Sequence, residues 1–163
     1  SSDLTIDEQK SLSDYPVIKE SADVIINQLK ESSYFDKIIF ESVEEKADNE
    51  VEVIYLIEDT KLTLTYISNN FNKIEINYSN YSDIPLDKQQ YSNQKLAMTY
   101  LNEFNIKEND FDNSDEIHSY ESYVKLIAGI SDTHWVYTTK EKNLSIFCSE
   151  NSVGNTFSIS KGN

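Results

Sequence analysis

Arginine is absent from this 163-residue chain; all fourteen basic residues are lysine. Arginine grips carboxylate and phosphate in a two-pronged fork, so its absence weighs against an enzyme acting on substrates of either kind. Glycine occurs three times, too sparsely for a glycine-rich loop that cradles phosphate, and no cofactor is expected. A single cysteine, Cys148, excludes an internal disulfide framework. The two histidines, His118 and His134, would need carboxylate partners from distant loops to hold zinc. No run reaches the length and apolarity of a transmembrane helix, and no signal peptide is read. No nucleophile elbow or HExxH motif occurs.

Acidic residues are what the chain has in excess. Twenty-nine Asp and Glu against fourteen Lys set the net charge at −15. That field repels nucleic acid and anionic membrane and favours a basic protein partner or a cation. Hydrophobic residues make up 38% of the chain, a low share, yet they fall in periodic segments, which argues against disorder. A chain of this length buries about 70% of its unfolded surface and needs no metal to fold. The Lys, Asn, Ile and Tyr bias is that of an AT-rich genome, such as a low-GC bacterium.

Residues 1–13 read as a polar leader or tether, consistent with an anchor upstream of Ser1, and residues 14–163 as one α+β domain with possible halves 14–82 and 83–163. In the first half, Asp14 is a candidate cap and Pro16 a first-turn residue for a helix whose stripe is Ile18, Ala22, Ile25, Ile26 and Leu29. Alternating strands follow, the earliest, within YFDKIIFESVEE, with a blurred period. Placing Asp59-Thr60 at a hairpin tip pairs Glu58 with Lys61, Ile57 with Leu62, Tyr55 with Leu64 and Val53 with Tyr66. A second helix, with Asp83 as cap and Pro85 near its first turn, carries Ala97, Leu101 and Phe104 beside Leu96 and Tyr100. Four more strands are expected, in SYESYVKLIAGI, THWVYTTKE, NLSIFCSE and NTFSIS. The predicted architecture is two helices packed on antiparallel sheet, a helix plus a four-strand meander occurring twice.

Two candidate sites are weighed and set aside. Asp110, Asp112, Ser114 and Glu121 fall at calcium-ligand positions of a twelve-residue loop, with Ile117 at the apolar eighth position. Position six is Asp115, where the sharp turn wants glycine, and the following residues read as strand. The segment is therefore expected to be a solvated loop with weak cation affinity. A Cys148–His134 dyad fails on register: a turn at Lys142-Asn143 sets Tyr137 opposite Cys148, groups Cys148 with Trp135 on a core face, and turns His134 away. Cys148 is expected to be a small buried hydrophobe.

The remaining functional reading is a non-enzymatic binding surface. Eleven tyrosines suit an interface, Tyr34, Tyr78, Tyr81, Tyr91, Tyr120 and Tyr123 standing near loops or element ends. The sheet face carrying Glu52, Thr63, Thr65, Glu75 and Asn77, with Ile54, Leu56 and Ile67 among them and Tyr78 and Tyr81 extending it, is the candidate contact surface. The expectation is an exported or surface-tethered ectodomain that holds a basic protein, in the manner of an inhibitor or immunity protein against a secreted toxin. The alternative is a cell-envelope lipoprotein or pilus-like subunit head lacking its anchor.

Overall fold

A computed structural model of the chain describes residues 11–78, 86–106, 134–138, 145–150 and 156–162. Its elements run α1 (Pro16–Leu29), β1 (Ile39–Ala47), β2 (Glu50–Ile57), β3 (Thr60–Ile67), β4 (Asn70–Asn77), α2 (Leu86–Glu103), β5 (His134–Thr138), β6 (Ser145–Glu150) and β7 (Thr156–Gly162). All strands pair antiparallel in one sheet ordered β1-β2-β3-β4-β7-β6-β5. The α+β class and the antiparallel sheet match the sequence reading; the four-strand meander occurring twice is not matched in full, the described strands forming one sheet. β4 and β7 pair directly, joining both halves. That junction carries one apolar row across the sheet, Val43 to Val53 to Leu64 to Ile74 to Ile159. Two separate sheets would expose two more backbone edges and divide this row. The expected strand at 119–130 lies outside the described residues.

The stripe predicted for α1 is the one buried: Ile18, Ala22, Ile25, Ile26 and Leu29. Its start differs. Asp14 does not cap this helix; its Oδ2 accepts the Ser11 backbone N–H at 2.8 Å, closing a 3-10 turn over Leu12–Asp14. Pro16 occupies the first helical position, leaving Tyr15 at the N-cap with φ −127° and ψ 72°. Proline disfavours helical geometry in the residue before it, which sets the boundary there.

α2 buries Leu96, Ala97, Tyr100 and Leu101, with Phe104 packed against the core just beyond its end. Asn105, at φ 52°, reverses the chain. Its N–H bonds the Asn102 carbonyl and the Ile106 N–H bonds the Leu101 carbonyl, both at 2.9 Å. This is a Schellman ending with asparagine in the left-handed position and Leu101 and Ile106 as its buried apolar pair. With glycine scarce, left-handed geometry falls to Glu58, Ser68, Asn69 and Asn105. Ser68 and Asn69, both at positive φ, form the two-residue turn between Ile67 and Asn70, the arrangement whose twist suits a tight hairpin.

The β2–β3 hairpin corrects the expected register. Ile57 pairs with Thr60, Tyr55 with Leu62, Val53 with Leu64 and Val51 with Tyr66, so the loop is Glu58-Asp59. The expected register was displaced by two residues, which leaves every side chain on its assigned face. The Glu58–Lys61 pairing that suggested it is an exposed ion pair, worth at most about 1 kcal/mol. Burying Thr60 inside the strand outweighs it. The blurred period of β1 also has a cause: the strand shifts register between Phe40 and Ser42 and again between Glu45 and Ala47. β1 is an edge strand, and bulges there discourage pairing with another chain.

Both described helices contribute to the core on one sheet face, with Val53, Tyr55, Ile57, Leu62, Leu64, Tyr66, Ile74 and Ile76. Tyrosine hydroxyls fasten the layers. Tyr66 donates to Ser21 Oγ of α1 at 2.8 Å, and Tyr78 to Asn93 Oδ1 of α2 at 2.7 Å. Tyr100 donates to the carbonyl of Asn72 at 2.7 Å. Asn72 is the residue skipped where β3–β4 pairing shifts, between Thr65–Lys73 and Tyr66–Phe71. The bulge thus leaves a carbonyl that the helix satisfies.

Candidate functional site

Opposite the helices, the ladders assemble the residues expected to bind a partner. One row runs Glu44, Glu52, Thr65, Lys73 and Ser160; the next runs Ser42, Ile54, Thr63, Glu75 and Ser158. A third carries Leu56, Lys61 and Asn77. Glu52, Thr63, Thr65, Glu75 and Asn77 therefore share one surface, with neighbouring pairs about 5 Å apart laterally. Thr63 and Thr65 form its floor, at 6% and 4% exposure, and Ile54 is buried at 4%. Thr65 Oγ1 has no hydrogen-bond partner among the described residues.

The surface is less acidic than the sequence implied. Lys46 Nζ lies 2.9 Å from Glu44 and 3.7 Å from Glu52, and Lys73 Nζ lies 4.0 Å from Glu75. Glu44, followed by Glu52, raises the Lys46 pKa, the ammonium staying exposed. Lys61 adds a third cation, on β3 opposite Asn77. These lysines were missed because the alternation was read for acidic and hydroxyl residues, and because Lys46 reaches the surface from a bulge. Carboxylates at the rim remain available, but each has a cation nearby.

Tyr78 is corrected outright. It is 1% exposed and bonded to Asn93, so it builds the core and does not extend the surface. Its position just beyond β4 suggested a loop tyrosine; the need to bury a large ring between sheet and α2 decided otherwise. Tyr91 is exposed on α2 and Tyr34 half-buried, whereas Tyr81, Tyr120 and Tyr123 lie outside the described residues. So does the loop carrying Asp110, Asp112, Ser114 and Glu121. Among the described residues no group of three or more His, Cys, Asp or Glu is placed to hold a metal ion.

The β5–β6 pairing sets Trp135 opposite Cys148, Tyr137 opposite Ile146 and His134 opposite Ser149. The expected Tyr137–Cys148 pairing is again displaced by two residues. His134 and Cys148 keep opposite parity in the ladder, which is the register condition that disfavoured a dyad.

On the helix side, a cavity of about 180 Å³ opens between α1 and the β1 edge. Asp23, Asn27 and Lys30 line it from the helix, and Phe40 and Tyr55 from the sheet. The Tyr55 hydroxyl is buried without a hydrogen-bond partner among the described residues. Burial first, then the Asp23 charge, push the Tyr55 pKa far above the ordinary phenol value, so the group stays neutral. Tyr55 reads from sequence as one more core position on an alternating strand, and nothing in that pattern marks its hydroxyl.

Glu103, half-buried at the end of α2, also titrates abnormally. Burial raises its pKa above 4.5, and a hydrogen bond from Ser21 opposes the shift. A folded-state pKa above the unfolded one means the folded chain holds the proton more tightly. This contribution to stability is present below pH 4.5 and is lost as pH rises through the folded value. Glu103→Gln is therefore expected to be more stable than the parent at neutral pH, with the advantage shrinking under acid. Urea midpoints at both ends of that range measure it; an advantage independent of pH would reject the assignment.

Among the described residues no helix is long and apolar enough to cross a membrane. Comparison with known protein families, with curated proteins and with solved structures returns no match to this chain.

Proposed function

We propose that this chain is a non-enzymatic binding protein that docks a basic protein partner on the sheet face opposite its helices. The partner is of the kind restrained by an inhibitor or immunity protein, and the chain acts as an exported or surface-tethered ectodomain. The observation that carries the reading is the convergence of Glu52, Thr63, Thr65, Glu75 and Asn77 from three adjacent strands onto one surface, in a chain of net charge −15. The carboxylates supply orientation, standing beside Thr63 and Thr65, which are buried at 6% and 4% exposure. The long-range field speeds encounter with a cation-rich surface, while local pairs such as Lys73–Glu75 fix register by offering both signs at known spacing.

The test uses the basic protein retained by the immobilised chain from the source organism's secretome, with affinity then measured at low and moderate salt. Glu52→Lys and Glu75→Lys are each expected to weaken binding about tenfold, or about 1.4 kcal/mol, mainly through slower association. Glu20→Lys, the same charge change on an exposed position of α1, serves as control. Salt-insensitive binding, or a control as weak as the face variants, overturns the reading.

A further inference from the structure

We propose that the cavity between α1 and the edge strand β1 receives one basic side chain of a protein partner, its cationic head held by Asp23 and the Tyr55 hydroxyl. This rests on the reading of a basic partner but concerns a different surface. Its volume of about 180 Å³ falls short of the roughly 300–1,000 Å³ of small-molecule sites, and suits a single side chain. Leu12, Ile26 and Ile38 offer apolar wall for an aliphatic stem, the way lysine and arginine stems pack on apolar surface.

The head group is selected by what lies at the polar end. Tyr55 is 4% exposed, and its hydroxyl meets no donor or acceptor among the described residues. A buried polar group without a partner is uncommon in a folded protein and asks for an explanation. Asp23 is the charge felt by that hydroxyl, so a donor placed between them satisfies both oxygens. The last turn of α1 adds the negative end of the helix dipole. An anion would meet the carboxylate and that helix end; an alcohol would bring no positive charge to either. Two cations stand nearby. Lys19 pairs with Asp23 at 2.6 Å, both side chains about half exposed, and Lys30 lines the rim in an exposed position. Both stems are free to carry their ammonium groups outward. Phe40, 44% exposed and edge-on to Tyr55 with ring centroids 5.9 Å apart, is the side chain that swings aside to admit the head, and its ring then offers a cation–π face. It sits beside the first β1 bulge.

The sheet separates this cavity from Glu44 and Glu52 on its other face, so a partner straddling the β1 edge reaches both. The test titrates butylguanidinium against the chain by NMR, with pentanol and pentanoate as the neutral and anionic comparisons. Saturable shifts centred on Phe40, Tyr55 and Ile38 are expected for the cation and are expected to weaken about tenfold in Tyr55→Phe and in Asp23→Asn. Asp23 is about half exposed and its substitution by Asn is isosteric, so the second variant keeps the fold if the first does not. Absence of saturation, equal binding of pentanol, stronger binding of pentanoate, or variants that match the parent each overturn the proposal. Because the probe is small, its binding is expected to survive Glu52→Lys and Glu75→Lys, so failure of the sheet-face reading and failure of this one are separately visible.

Discussion

Ile74→Ala is expected to lower unfolding stability by about 2–5 kcal/mol, the range for removing a large aliphatic side chain from a packed core. Ile74 is fully buried, and its cross-strand neighbours are Leu64 and Ile159. It lies in the row that continues from β4 into β7, so its loss weakens the junction between the two halves. Little room exists for collapse, because both flanking strands are held by further pairs. Ile54→Ala provides the comparison. Ile54 is also buried but stands outside the helix-side core, flanked by Ser42 and Thr63. A distinctly smaller loss is expected there. Urea denaturation with an unchanged slope measures both. Equal losses would mean that the face opposite the helices is packed as tightly as the core, and the docking reading would fall with that result.

Tyr100→Phe is expected to cost about 1–3 kcal/mol, because the Asn72 carbonyl loses its donor while remaining beside the packed ring. Tyr55→Phe, the same change of one oxygen, is expected to be neutral or stabilising. Its hydroxyl is already buried without a partner among the described residues, so removal takes away a desolvation penalty and no bond. The opposite signs follow from whether a partner is left behind. Thermal and urea unfolding of the two variants, run side by side, decide the matter. A Tyr55→Phe protein as destabilised as Tyr100→Phe would mean that the hydroxyl is bonded in solution, and the case for the α1–β1 cavity would lose its main support.

The legible parts of this fold are those governed by local periodicity. The α1 stripe was visible residue by residue because five apolar side chains at helical spacing have one low-energy arrangement against a core. The faces of β2 and β3 were visible for the same reason, and they survived a register error because the displacement was an even number of residues. The turns were less legible. Glu58-Asp59 replaced Asp59-Thr60 since burying a β-branched strand residue outweighs an exposed Glu–Lys pair, and Asp14 lost its capping role to the constraint that Pro16 places on Tyr15.

Composition and periodicity alone determined the α+β class, the antiparallel strands, the acidic balance and the grouping of Glu52, Thr63, Thr65, Glu75 and Asn77 on one face. Only the tertiary structure decided that β4 and β7 join the halves into one sheet, that Tyr78 serves the core, that Lys46, Lys61 and Lys73 accompany the carboxylates, and that a Tyr55 hydroxyl is buried unpaired beside Asp23. The division has a physical cause. Alternation along a strand is a property of neighbours in the chain, whereas pairing, charge compensation and the fate of one buried oxygen depend on groups brought together from distant positions, where small differences in burial and hydrogen bonding choose among arrangements that local preference leaves equal.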